Sequence, residues 1–364
     1  MPEFIPGLQL SELFYKEIVE PILHTKFPGL EYAAARLGYG SEVLGFDDEM
    51  SRDHDWGPRF TLFLSNDVLE TEKTKIDEAL RNNLPHLFHG YPTNWSLPHE
   101  DQTWALIETV EGPVNHRVEI TSIRRFLLEY IGFDIVGELT PADWLTFPQQ
   151  KLLGITAGKV FHDRVELKAV REYFSWYPQD VWLYLLASAW QRIGQEEHLM
   201  GRAGEAGSEL GSTLIASRLV RDIMRLCFLI EKKYAPFPKW FGMAFAKLKC
   251  SQEFSPIFDN VFQSENWQAR DRWLSRAYEI VISKFNELSI ISKIPEQASQ
   301  FFDRPFRIIW GERLSKQTAQ EITDPLVKHI ASRSLIGNID LFSDNTDLLE
   351  DPQFRKGVRL LYLD

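Results

Sequence analysis

Cysteine is almost missing from this chain. Cys227 and Cys250 are the only two among 364 residues, both in apolar or helical context, so neither a disulfide framework nor a cysteine zinc site is supported. Basic residues are also in deficit, with a formal net charge of -12, which disfavours broad electrostatic binding to DNA, RNA or an anionic membrane. A local basic pocket remains compatible with that balance. No uninterrupted apolar run approaches the length of a membrane span, and the opening Met1-Pro2-Glu3 carries no basic stretch followed by an apolar one. A soluble, cytoplasmic protein is therefore expected. Internal repeats and low-complexity tracts are lacking, as are a P-loop, a Rossmann fingerprint and a Gly-x-Ser-x-Gly elbow. Those gaps set aside P-loop kinases, dehydrogenases and serine hydrolases.

What is present is ordinary globular composition with an unusual weight of aromatics, 11 Trp and 25 Phe, which read first as core. The length exceeds what one core usually fills, so two packed domains and a tail are expected. The pattern predicts a helix with Ser11 as its cap and Leu13, Phe14, Ile18 and Ile22 on one face. Strands are predicted over 32–37, 60–64, 104–110 and 118–123, with a helix over 70–84. From about Pro141 the periodicity turns helical: 149–157, 165–174, 180–194, 208–234 and 269–288, with a short helix near 315–322. The fold class expected is an α+β N-terminal domain with a small mixed sheet over 1–145, a mostly α-helical bundle domain over 146–292, and a packed tail over 293–364. Asp340, Asp344, Asp347 and Asp351 of that tail read as a solvated face.

One stretch carries chemistry. Leu37-Gly38-Tyr39-Gly40-Ser41 is followed, eleven residues on, by Asp53-His54-Asp55-Trp56-Gly57. Two carboxylates at i and i+2 on a strand would point to one face and suit Mg²⁺, which takes a few carboxylates and leaves positions for substrate phosphates. Gly40 and Ser41 would let backbone amides and a hydroxyl approach a triphosphate closely.

The order and spacing of these residues resemble the nucleotidyltransferase superfamily, in which Gly-Ser opens a helix and an acidic-x-acidic strand follows. Gly40, Ser41, Asp53 and Asp55 match that pattern residue by residue. The superfamily includes the kanamycin and streptomycin nucleotidyltransferases and the minimal nucleotidyltransferases. The resemblance implies a third carboxylate from a later strand, for which Glu119 in Arg117-Val118-Glu119-Ile120-Thr121 is the candidate. Over most of its length the chain also looks like a bacterial family of nucleotidyltransferase-like proteins filed as a domain of unknown function. The segments carrying that likeness are Asp53 to Gly57, Leu139-Thr140-Pro141-Ala142-Asp143-Trp144-Leu145, Val160-Phe161-His162-Asp163 and the run from Gly201 to Gly242.

The resemblance implies Mg²⁺-dependent transfer of a nucleotidyl group from an NTP, ATP being the expected one, to a hydroxyl of a small molecule or protein, with pyrophosphate released. A general base would come from the helical domain. Gly201-Arg202-Ala203-Gly204-Glu205-Ala206-Gly207-Ser208-Glu209 reads either as a loop approaching a ligand or as an ordinary helix-helix turn. It offers Glu205 and Glu209 as bases and Arg202 as a triphosphate donor. Arg218, Arg221 and Arg225 share one helix face, for phosphate or for structural pairing; Arg221 and Lys239 are nucleotide-contact candidates. The alternative reading is a non-catalytic nucleotide-binding, toxin-antitoxin or regulatory module. Nucleic acid and membrane partners are not expected.

Overall fold

A computed structural model describes residues 2–98, 100 and 103–363. The chain is mixed α/β at its start and mostly helical toward its C-terminus, and it divides into two compact units. The first comprises residues 1–138 and 151–175, the second 139–150 and 176–364.

The first unit is built on a four-stranded mixed sheet. Its strands are β1 (Ala33–Arg36), β2 (Arg59–Leu64), β5 (Arg117–Ser122) and β6 (Lys159–Asp163); a two-residue ladder, β3 (Leu87–Phe88) with β4 (Tyr91–Pro92), lies outside it. The order is β5-β2-β1-β6, with β2 parallel to β5 and β1 antiparallel to both its neighbours. All six residues of β2 are buried, as a central strand covered on both faces requires. Phe60, Leu62 and Leu64 join Phe14, Tyr15 and Ile120 in one apolar layer, while Phe63, Ala33 and Ala35 pack with Phe126 and Leu167 in another. That is the period-2 division of a strand between two cores.

The helices follow from their caps and apolar spacing. The N-terminal helix begins earlier than the pattern predicts: α1 (Gly7–Phe14) runs through a π turn into α2 (Glu20–Lys26), and Ser11 is buried inside it. Its start is set by Asp47, whose carboxylate accepts the Gly7 N–H at 2.6 Å. After the short α3 (Ser41–Leu44), Ser65 caps α4 (Asn66–Asn83), which buries Leu69, Ile76 and Leu80, and Ser122 caps α5 (Ile123–Ile131), which Gly132 ends in the left-handed region. The strand predicted over 104–110 reduces to an isolated bridge between Trp95 and Leu106.

The expected boundary near residue 145 is replaced by three crossings of the chain between units. Residues 139–150, which include α6 (Pro141–Thr146), belong to the second unit. There Asp143 takes both Arg355 and Arg359, and the Gln149 N–H donates to Asp340. Residues 151–175 belong to the first, because β6 pairs with β1. They hold most of α7 (Gln149–Thr156) and α8 (Leu167–Tyr173), whose start is fixed by Asp163 accepting three backbone N–H groups.

The second unit is assembled on α9 (Gln179–Glu205) and α10 (Glu209–Ile230), followed by α11 (Pro238–Phe245), α12 (Ser251–Gln263), α13 (Trp267–Glu287), α14 (Gly311–Gln320) and α15 (Pro325–Arg333). The expected tail from residue 293 is part of this unit. No helix among the described residues is long and apolar enough to cross a membrane.

Candidate functional site

The first unit contains a pocket of about 470 Å³. It draws its wall from β1, β2 and β5, from the loop after β1, and from α4 and α5. The loop, Leu37-Gly38-Tyr39, leads directly to Gly40 and Ser41, where α3 opens. Gly38 has φ +89° and Gly40 φ +132°, conformations that side-chain-bearing residues rarely adopt. Arg36 grips the loop from beneath, donating to the carbonyls of Leu37 and Tyr39 at 2.6 Å each.

Beneath the loop lies a buried charge cluster. Glu42, 2% exposed, accepts from Nε and Nη2 of Arg36 at 2.9 and 2.7 Å, and from Nε and Nη2 of Arg59 at 3.0 and 2.8 Å, all on one oxygen. Burial alone would raise the Glu42 pKa, but the two guanidinium charges outweigh it and hold the carboxyl at about 2. Burial and the nearby Arg59 charge push the Arg36 pKa down. Two cations on one anion leave the cluster with a positive excess.

The pocket lining includes four arginines, Arg36, Arg59, Arg81 and Arg117, against two carboxylates, Glu119 and Glu129, so this pocket reverses the sign of the whole chain. Arg81 is engaged with Asp77 and Asn115, and Glu129 with Arg125. Arg117 differs. Among the described residues it has no carboxylate partner, and its guanidinium lies 4.2 Å from the centre of the Trp104 ring. His116 beside it is buried, which lowers its pKa against the pull of Asp77; its Nδ1 accepts the Val118 N–H, so the neutral ring carries its proton on Nε2. Tyr39, Trp104, Phe126 and Tyr130 supply flat aromatic surface to the same pocket. A cavity with flat rings and a guanidinium that has no carboxylate partner among the described residues is chemically suited to an anion carrying a planar group.

The predicted residues are distributed differently from the expected constellation. Asp53 and Asp55 do not lie on a strand. Asp48 caps a 3-10 turn over Glu49–Asp53, Asp55 takes φ +48°, and Gly57-Pro58 delay the strand until Arg59. Asp53 is 67% exposed on its side chain and holds only its neighbour His54. The Asp55 N–H donates to the carbonyl of Trp104, one residue of the pocket wall, and its carboxylate has no partner among the described residues. Glu119 does come from a later strand, paired with Thr61, exposed and in the pocket wall beside Arg117. Among the described residues no three His, Cys, Asp or Glu side chains are grouped to hold a metal ion, so Asp53, Asp55 and Glu119 do not form a ready-made three-carboxylate centre. Asp53 is exposed and Asp55 half-buried.

In the second unit the Gly201 to Ser208 segment is not a ligand loop. Gly201 and Gly204 sit inside α9, where a Cβ would run into the rings of Phe306 and Trp267, so these glycines serve close packing. Glu205 pairs with Arg202 and lies near Arg304; Glu209 accepts the Trp267 N–H at 3.1 Å and Arg270 Nη1 at 3.1 Å. The proposed bases Glu205 and Glu209 and the proposed donor Arg202 are thus engaged in structural pairs. Arg221 and Arg225 both bond Asp344, Arg218 bonds Glu196, and Lys239 lies over its neighbour Trp240. The residues that sequence reasoning missed are Arg36, Arg59, Glu42 and Arg117. The available signal was charge at strand ends, Arg36 after an alanine run and Arg59 after Gly57-Pro58.

Residues 144–241, less than half of the chain, match a family described as Domain of unknown function (DUF4037). No curated protein matches the chain significantly. Among solved structures, one of a nucleotidyltransferase-like protein from Exiguobacterium sibiricum 255-15 is 8% identical, covers 78% of each chain and superimposes with a TM-score of 0.33. That likeness is too slight to carry an argument, and the matched residues 144–241 include none that line the pocket of the first unit, which is judged on its own chemistry.

Proposed function

We propose that the pocket of the first unit binds a nucleoside triphosphate, ATP foremost, and that the protein transfers its nucleotidyl group to a hydroxyl of a small molecule or protein. The observation that carries this reading is the Arg117 guanidinium, which has no carboxylate partner among the described residues and is set among aromatic rings beside the Gly38–Ser41 loop. Arg117 meets the phosphates, Trp104, Phe126 or Tyr130 takes the base, and Gly38 of the adjoining loop lines the pocket without a side chain to bar close approach; at Gly40 the missing side chain instead makes room for Glu42 and Arg36. Arg36 and Arg59, held by Glu42, keep that loop in place and add positive potential beneath it.

Asp53 and Asp55 would hold the Mg²⁺ accompanying the nucleotide, which supplies neutralisation of phosphate charge. In the transfer the acceptor's oxygen forms a bond to the α-phosphorus as the α–β bridging bond breaks, and pyrophosphate leaves. Glu119, an exposed carboxylate in the pocket wall, is placed to accept the proton of the hydroxyl. A finer likeness to kanamycin-type nucleotidyltransferases rests on the Gly40-Ser41 to Asp53-x-Asp55 spacing alone.

The lack, among the described residues, of any three grouped His, Cys, Asp or Glu side chains favours the second reading, a nucleotide-binding module without turnover. Pyrophosphate release from each of the four NTPs with Mg²⁺ and a panel of hydroxyl acceptors separates the two. Release that Asp53→Asn/Asp55→Asn abolishes supports the transferase; tight NTP binding without release supports the module.

A further inference from the structure

The second unit has a cavity of its own, about 540 Å³, within the range that takes a drug-sized molecule. One wall is apolar, formed by Leu185, Leu229, Pro236, Phe237 and Phe241. The other carries four charged groups, Arg221, Arg225, Asp340 and Asp344. They are not equivalent. Asp340 already accepts two neutral donors, the Gln149 N–H at 3.0 Å and Asn338 Nδ2 at 2.8 Å. Burial pushes its pKa up to about 6, and the two neutral donors and the nearby Arg225 charge already serve its carboxylate, so it is not a vacant anchor for an incoming cation.

The arginines are placed the opposite way. Both stand on α10, and both are hydrogen-bonded to one carboxylate, Asp344, through one bond each, Arg221 Nη1 at 2.6 Å and Arg225 Nη2 at 3.0 Å, while Arg221 Nε also lies 4.0 Å from the buried Asp222. Arg221 Nε is buried and has no hydrogen-bond partner. The shared carboxylate is 56% exposed on its side chain, whereas the arginines are 34% and 18% exposed. A solvated carboxylate between two helices' ends is readily exchanged for another anion, because leaving costs it little desolvation.

We propose that this cavity is a binding site for a small amphipathic organic anion, an aromatic or aliphatic carboxylate or phosphate. Its charged end displaces Asp344 from Arg221 and Arg225, and its apolar body lies against Phe237 and Phe241. Asp344 then acts as an internal competitor for the site. The inference is independent of the nucleotide reading, since every residue it uses belongs to the second unit.

Calorimetric titration of the full chain with 1-naphthaleneacetate, its neutral amide and 1-naphthylmethylamine tests it. The acetate is expected to bind about tenfold or more tighter than the amide, the worth of one charge-assisted contact. Asp344→Asn should tighten the acetate several-fold, and Arg225→Gln should remove the preference over the amide. Asp344 lies at the surface, so its substitution leaves the fold in place and keeps the test valid even if Arg225→Gln unfolds. Preference for the amine, equal binding of the three probes, no binding of any, or an acetate affinity indifferent to Asp344→Asn would each overturn the proposal.

Discussion

Two pairs of arginines in this protein each share one carboxylate, and they differ in depth. In the first unit Arg36 and Arg59 close on Glu42, with side chains 7%, 6% and 2% exposed. In the second, Arg221 and Arg225 close on Asp344, which is 56% exposed. Each pair meets on a shared carboxylate, yet the physical meaning is opposite. A buried carboxylate between guanidiniums cannot be withdrawn without stranding two charges in low dielectric, so Glu42 is structural and the loop above it is held still. An exposed one is replaceable by water or ligand, so Asp344 is a placeholder.

The sharpest way to break this contrast is Glu42→Gln. It should destabilise the protein by about 3–5 kcal/mol, the usual cost of removing one partner of a buried pair, read from the denaturant midpoint. The same residue predicts an acid limb. Its folded pKa, about 2, is below the ordinary 4.5, so its stabilisation is present above pH 4.5 and lost as pH falls toward 2. Unfolding free energy followed over that window should fall with the wild type and show a shallower slope with Glu42→Gln.

A smaller effect is expected where the second unit relies on shape instead of charge. Gly204→Ala puts a methyl into the Trp267 ring and should cost about 1–3 kcal/mol by thermal melting, as overpacking does. The smallest belongs to Asp344→Asn, which should change stability by less than about 1 kcal/mol while altering anion affinity. A large loss there would place Asp344 with Glu42 and erase the distinction.

Much of the secondary structure was legible in the sequence, because strong periodicity survives tertiary context. The strands observed at Ala33–Arg36, Arg59–Leu64 and Arg117–Ser122 and the long helices at Gln149–Thr156, Trp267–Glu287 and Glu209–Ile230 lie close to their predicted spans. What failed did so for local physical reasons. β6 falls between the helical runs 149–157 and 165–174, and only its pairing with β1 makes residues 159–163 a strand. Gly201 and Gly204 suggested a loop, where helix packing alone required the missing side chains.

The site was legible only in part. Gly40 and Ser41 do open a helix, and Glu119 does face a pocket, because short motifs and strand alternation are local properties. Asp53 and Asp55 precede the strand, because Asp48's cap holds Glu49–Asp53 in a 3-10 turn and Gly57-Pro58 defer the strand to Arg59. Arg117 escapes a reading of the sequence because its importance comes from having no carboxylate partner among the described residues, a fact that exists only once the chain has folded. The charge reversal at the pocket was equally invisible in a net of -12.

The central claim is that Arg117 and the braced Gly38–Ser41 loop make a nucleotide site. Equilibrium binding of ATP with Mg²⁺ tests it most directly, comparing wild type with Arg117→Gln and checking both for intact fold by circular dichroism. The account predicts ATP binding by the wild type and a loss of about tenfold or more in affinity on substitution. Affinity unchanged by Arg117→Gln, or no ATP binding by the wild type, would contradict it.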